Sequence, residues 1–177
     1  MGFIRSEDGI YYIHTYYPKR YEEHKGISEK ILDFKRGHTY AINDFTKDFI
    51  SCIEELNIQS NKFKNRAIAI VPSHTSNTWS PALLSMVDQV CSTFGICNMS
   101  KLLVRYKDHE KQATGGVRSI ESQLDTIKIN KSFDLKEKIV WVIDDVTTSG
   151  SSILACCNLI DSTDAKKSRG IALAKTY

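Results

Sequence analysis

The sequence predicts an α/β fold in which a central parallel sheet carries helices on both faces. Residues 139–143 (IVWVI) form an unbroken apolar run dominated by β-branched side chains, the pattern of a strand buried on both faces. Residues 67–71 (AIAIV) form a second such run. Each is followed by a polar loop and then by apolar residues at helical spacing, which is the strand, loop, helix order of a parallel sheet. With 177 residues the chain can bury a sizeable core, and nothing in it marks a boundary, so residues 1–177 are read as one domain.

Taken in order, residues 1–25 form an N-terminal extension rich in aromatic and charged side chains, and 9–17 read on β-propensity as an edge strand or hairpin arm. Ile27, Ile31 and Phe34 make a helical stripe that Gly37 ends. Phe45, Phe49, Ile53 and Leu56 make another, opened by Asn43 or Asp44 and finished near Asn57. Both stripes are expected to cover the sheet, with Lys35, Arg36 and His38 between them facing solvent. After strand 67–71 a helix starts at Ser80 and Pro81, turns Leu83, Leu84, Val87, Val90 and Phe94 inward, and stops at Gly95. Residues 102–104 are a third strand candidate. Residues 105–130 read as a flexible lid, cation-rich at Arg105, Lys107, Lys111 and Arg118 and hinged at Gly115 and Gly116. The strand at 139–143 leads into a helix carrying Ile153, Leu154, Cys157 and Ile160, and 171–174 form a last short strand.

Composition narrows the function. The balance of 24 Lys and Arg against 21 Asp and Glu, a formal +3, is too mild to argue for nucleic acid. No apolar run approaches membrane-spanning length and the first residues are no signal peptide, so the expectation is a cytoplasmic protein with no membrane partner. Cys52, Cys91, Cys97, Cys156 and Cys157 show no metal-binding or CxxC spacing and read as reduced, buried, small apolar side chains.

The chemistry concentrates after residue 143, where Asp144 and Asp145 are followed by Val146, Thr147, Thr148, Ser149, Gly150 and Ser151. A loop that opens a helix offers unpaired N–H groups and a positive dipole end, and its hydroxyls add donors, so this segment suits a phosphate. The two carboxylates would repel a bare phosphate, which leaves sugar hydroxyls or a Mg²⁺ carried with the ligand as their partners. A P-loop would need Lys where Ser151 stands, and a dinucleotide fingerprint would need glycines besides Gly150.

Hydrophobic strand, acidic pair and Thr/Ser/Gly loop resemble the 5-phosphoribosyl-1-pyrophosphate (PRPP) motif of type I phosphoribosyltransferases. Within that superfamily the chain is most similar to ComF-like proteins, on VPSH after residue 70, an RY(x)₅Q(x)₅R pattern from Arg105 through Gln112 to Arg118, DDVTTSG, and the closing IALAKT. The N-terminal cysteine zinc module of many ComF-type chains has no counterpart in residues 1–25, and TSNTWSP stands where an arginine-rich stretch usually follows VPxH. The resemblance implies a type I phosphoribosyltransferase-like fold with a hood over the carboxyl edge of the sheet, and Mg²⁺-dependent transfer of the phosphoribosyl group to an unidentified acceptor with release of pyrophosphate. It places Asp144 and Asp145 as catalytic and metal-associated residues on the ribose hydroxyls. Val146, Thr147, Thr148, Ser149, Gly150 and Ser151 fall around the 5′-phosphate. Ser73, His74, Thr75 and Ser76 fall around the pyrophosphate, covered by Arg105, Lys107 and Lys111. The alternatives are a PRPP or nucleotide sensor without turnover, acting alone or as a subunit of a larger assembly, and a ComF-like nucleic-acid-associated protein. A homodimer through the aromatic N-terminus is a further expectation.

Overall fold

The computed structural model describes residues 2–21, 25–56, 60–108 and 120–177. Their architecture is α/β, built on a six-stranded sheet. In chain order the sheet strands are β1 (Ile4–Arg5), β2 (Tyr11–Tyr16), β3 (Arg66–Ile70), β4 (Cys97–Asn98), β7 (Ile139–Thr147) and β8 (Lys167–Thr176). They lie in the order β1-β2-β8-β7-β3-β4. Every neighbouring pair is parallel except β1 with β2, which form an antiparallel hairpin at one edge. Both edge strands are two residues long, which leaves little unpaired backbone to recruit another chain. A separate antiparallel ribbon pairs β5 (Leu103–Arg105) with β6 (Ile127–Ile129).

The alternation within each strand divides the core into two layers. Ile68 and Ile70 of β3, Trp141 and Ile143 of β7, and Ile171 and Leu173 of β8 face one way. They pack under three helices: α1 (Ile27–Lys35), α2 (Thr39–Glu55) and α3 (Pro81–Phe94). Phe34, Phe45 and Phe49 fill this layer and are fully buried, each side chain contributing about 1.5–3 kcal/mol of transfer free energy. Ala67, Ala69, Val140, Val142 and Ala172 face the other way, toward α5 (Ser151–Asp161) and the ribbon. This second face is built from small residues because α5 lies close to it. A Cβ on Gly170 would collide with Ile153 of that helix.

Sequence and structure agree closely on α3. Ser80 caps it by accepting from the Leu83 amide, Pro81 opens it, and Gly95 closes it in the left-handed region. Elsewhere the boundaries move. The second helix begins at Thr39 rather than at Asn43 or Asp44, because Ala41 and Ile42 are buried under it and tertiary burial outweighs the local capping preference. Of the two expectations for 9–17, the hairpin arm holds and the edge strand does not: β2 pairs with β1 on one side and with β8 on the other. Strands at 139–143 and 171–174 both run longer, since each extends along the other to Thr147 and Lys175. The candidate at 102–104 joins the ribbon instead of the main sheet. The ribbon with α4 (Ile120–Leu124) forms the described part of the expected lid. Lys111, Gly115, Gly116 and Arg118 lie outside the described residues. No helix among the described residues is long and apolar enough to cross a membrane.

Candidate functional site

From β3 the chain crosses through α3 to β4 on one side, and from β7 through α5 to β8 on the other. The strand order therefore reverses between β3 and β7, and an open α/β sheet leaves a crevice at the carboxyl ends of such a pair. A cleft of about 280 Å³ occupies that place, lined by Lys35, Ser73, His74, Arg105, Asp144 and Asp145 among others.

The acidic pair owes its position to a splay in the sheet. The last pair between β3 and β7 is Ile70 with Ile143, and β7 then continues beside β8 alone. Asp144 and Asp145 thus stand at the first positions where β7 has lost one neighbour, and both are half-buried. Their carboxylates are fixed from within. Asp144 Oδ1 accepts the Asp145 amide at 2.8 Å, and Asp145 Oδ1 accepts the Val146 amide at 2.6 Å. Lys35, at the end of α1, reaches the same Asp145 Oδ1 at 3.1 Å. Among the described residues nothing bonds Asp145 Oδ2.

Beyond the acids, Thr147 is buried while Thr148 and Ser149 are exposed. Thr148 Oγ1 lies 2.9 Å from Thr176 Oγ1, which ties the loop to the end of β8. Ser149 and Ser151 share a hydroxyl contact at 3.0 Å. The residue that caps α5 is Gly150, at φ 76°, and it supplies no side-chain acceptor to the first turn. Glycine is required there twice over: by its positive φ, and because a Cβ would meet Ile10 and Asp8 of the β1–β2 turn. Of the residues expected around a 5′-phosphate, Val146 lines the cleft, as does the neighbouring Ser152, whereas those from Thr147 at the end of β7 to Ser151 at the start of α5 do not.

The loop after β3 supplies the opposite wall. Ser73 and His74 line the cleft, whereas Thr75 and Ser76 do not. The Ser76 amide donates to Asp108 Oδ1 at 2.7 Å, and that bond holds the Asp108 carboxyl below its usual pKa. Arg105 is buried under this loop, with its Nε 2.6 Å from the Ser73 carbonyl and its Nη2 3.0 Å from Gln123 Oε1. Its Nη1 bonds Thr126 Oγ1, and burial lowers its pKa from the ordinary arginine value. Arg105 therefore anchors the loop as well as lining the cleft. Lys107 is exposed, its ammonium 5.5 Å from the Tyr106 ring centroid, and lies away from the cleft wall. Lys111 is outside the described residues.

Two contributors escape the sequence reading. Lys35 is expected from sequence to face solvent, and no motif links a helix end to a strand so far along the chain. Gln123 lines the cleft and belongs to no recognisable pattern. The chain matches no protein-family model, and no curated protein matches it.

Proposed function

We propose that the chain is a type I phosphoribosyltransferase-like protein, nearest in kind to ComF-like members, that binds PRPP and transfers its phosphoribosyl group to an acceptor nitrogen. The observation that carries this reading is an acidic pair lining a cleft at the sheet's switch point and running directly into a hydroxyl-bearing loop and a helix start that lacks a side-chain cap. In the proposed complex Asp144 and Asp145 accept from the ribose 2′- and 3′-hydroxyls. The 5′-phosphate sits at the amides and hydroxyls of Thr147 to Ser151, and the pyrophosphate against Ser73 and His74. The bond from the anomeric carbon to pyrophosphate breaks and pyrophosphate leaves with the electron pair. The acceptor nitrogen then bonds to that carbon and gives up its proton. Positive charge that develops on the ribose ring is stabilised by the half-buried carboxylates.

The donor set bears on the metal. Among the described residues no three His, Cys, Asp or Glu side chains come together as a cation cage. One or two carboxylates with ligand phosphates and water are what Mg²⁺ commonly uses, so the pair fits an ion that arrives with PRPP. Held beside Asp144 and Asp145, such an ion would supply positive charge to the departing pyrophosphate.

Calorimetric titration of PRPP with and without Mg²⁺, into the wild type and an Asp144→Asn/Asp145→Asn variant, tests the reading. Mg²⁺-dependent binding that the variant loses supports it, and equal binding by the variant overturns it. A second reading is favoured by one observation: Asp108 already occupies the Ser76 amide expected to hold pyrophosphate. It makes the protein a PRPP-binding module without turnover, which would bind PRPP and release no pyrophosphate with any nucleobase offered.

A further inference from the structure

A second cleft lies at the opposite end of the sheet. Its volume is about 300 Å³, and its lining includes Arg66, Lys167, Arg169, Trp141, Tyr11 and Phe3. Strand register explains how it forms. Arg66 pairs with Ile139, which pairs with Lys167, and Trp141 pairs with Arg169. Residues two apart on a strand share a face, so three cations at the amino ends of β3 and β8 stand on the face that also carries Trp141.

Like charges gathered on one sheet face repel one another, and among the described residues no carboxylate offsets them. None of the three forms an ion pair among the described residues, and no acidic side chain lines the cleft. Arg66 is the most constrained of them. Its guanidinium carbon lies 5.7 Å from the Trp141 ring centroid, and its Nη1 donates to the Lys62 carbonyl at 2.7 Å. Its Nε is buried without a hydrogen-bond partner. Lys167 and Arg169 are exposed at the rim. The remaining surface is aromatic and aliphatic, as ligand clefts with a few placed polar groups usually are.

We propose that this cleft is a second ligand site, which takes a small anion carried on an aromatic body, of the nucleoside monophosphate class. Lys167 and Arg169 receive the phosphate, and Tyr11, Phe3 and the covered Trp141 form the apolar bed for the base. Neither part suffices alone: inorganic phosphate would leave the apolar bed wet, and a neutral nucleoside would leave the cations unpaired. The inference does not depend on the phosphoribosyl reading of the first cleft, because the two sites share no residue.

The test is calorimetric titration of AMP, with adenosine and inorganic phosphate as partial probes, into the wild type and a Lys167→Gln/Arg169→Gln variant. Both substituted side chains are exposed, so the variant should fold, and circular dichroism checks that it does. Saturable AMP binding is expected, at least about tenfold weaker in the variant, the loss that one charged hydrogen bond to phosphate accounts for. Adenosine and phosphate should each bind more weakly than AMP, and PRPP titration should be unchanged in the variant. The proposal is overturned if AMP fails to bind or binds the variant as tightly as the wild type. It is equally overturned if sedimentation shows a dimer that the variant abolishes, for then the cationic face is a subunit interface.

Discussion

Gly150→Ala probes the place where the N-terminal hairpin meets the proposed phosphate loop. Two costs arise. The residue sits at φ 76°, where an L side chain pays about 1–2 kcal/mol. The added methyl also collides with Ile10 Cδ1, and Ile10 is 1% exposed, so its side chain must shift within packed surroundings. Forcing a methyl into packing of that kind costs about 1–3 kcal/mol. Together the substitution should destabilise the protein by roughly 2–5 kcal/mol, or lower Tm by roughly 5–15 °C for a domain of this size. Urea denaturation of the single variants and of Gly150→Ala/Ile10→Ala separates the two costs. Shortening Ile10 removes the collision but leaves the backbone penalty, so in the Ile10→Ala background Gly150→Ala should cost only about 1–2 kcal/mol. If the two substitutions add to within about 0.5 kcal/mol, the hairpin does not press on the loop and the packing argued here is wrong.

Three further outcomes follow from the same geometry. Arg105→Met strands the Ser73 carbonyl and the Gln123 side chain, and should cost about 2–4 kcal/mol in urea denaturation; a loss under about 0.5 kcal/mol would mean that Arg105 does not anchor the loop. Lys35→Met should leave stability within about 0.5 kcal/mol because the lysine is exposed, yet lower the Mg²⁺ concentration needed for PRPP binding by removing a competing cation from Asp145; an unchanged Mg²⁺ dependence would sink the second half of that statement. Burial pushes the Cys91 thiol up to about 12 and those of Cys52 and Cys157 up to about 11. Above about pH 9 the unfolded chain loses these protons while the folded one keeps them, so stability measured in urea should fall as pH rises from 9 toward 12, and a flat profile there would contradict their burial.

What the sequence could reveal was what neighbouring residues decide among themselves. Ser80, Pro81 and Gly95 carry cap chemistry that acts within one turn, and α3 begins and ends where they indicate. The apolar run at 139–143 declares a buried strand through its own composition. Continuation of β7 through Asp144 to Thr147 is of another kind, since three of those four residues are polar and the segment is held extended by β8. The early start of α2 depends on what Ala41 and Ile42 pack against. Within the site the acidic pair and its loop were legible because the motif is contiguous. Lys35 was not, because its partner Asp145 is a neighbour only after folding. The sequence makes Arg105 a cation of a flexible lid, whereas the structure buries it under the Ser73 loop, a difference that turns on acceptors contributed by two separate segments, at Ser73 and at Gln123 with Thr126.

The pairing of β2 with β8 also bears on how the molecule is made. Its register sets Tyr11 beside Ile171, so β2 can find this partner only after all of the intervening chain has been synthesised. Contacts of such sequence separation slow folding, because a large loop must close before they contribute. During synthesis β2 and the turn that rests on Gly150 would wait, paired with β1 alone, until β8 leaves the ribosome. A nascent chain stopped before β8 would hold its acidic pair and loop in sequence while lacking the strand that keeps them extended. Completion of the candidate site is thereby coupled to completion of the sheet.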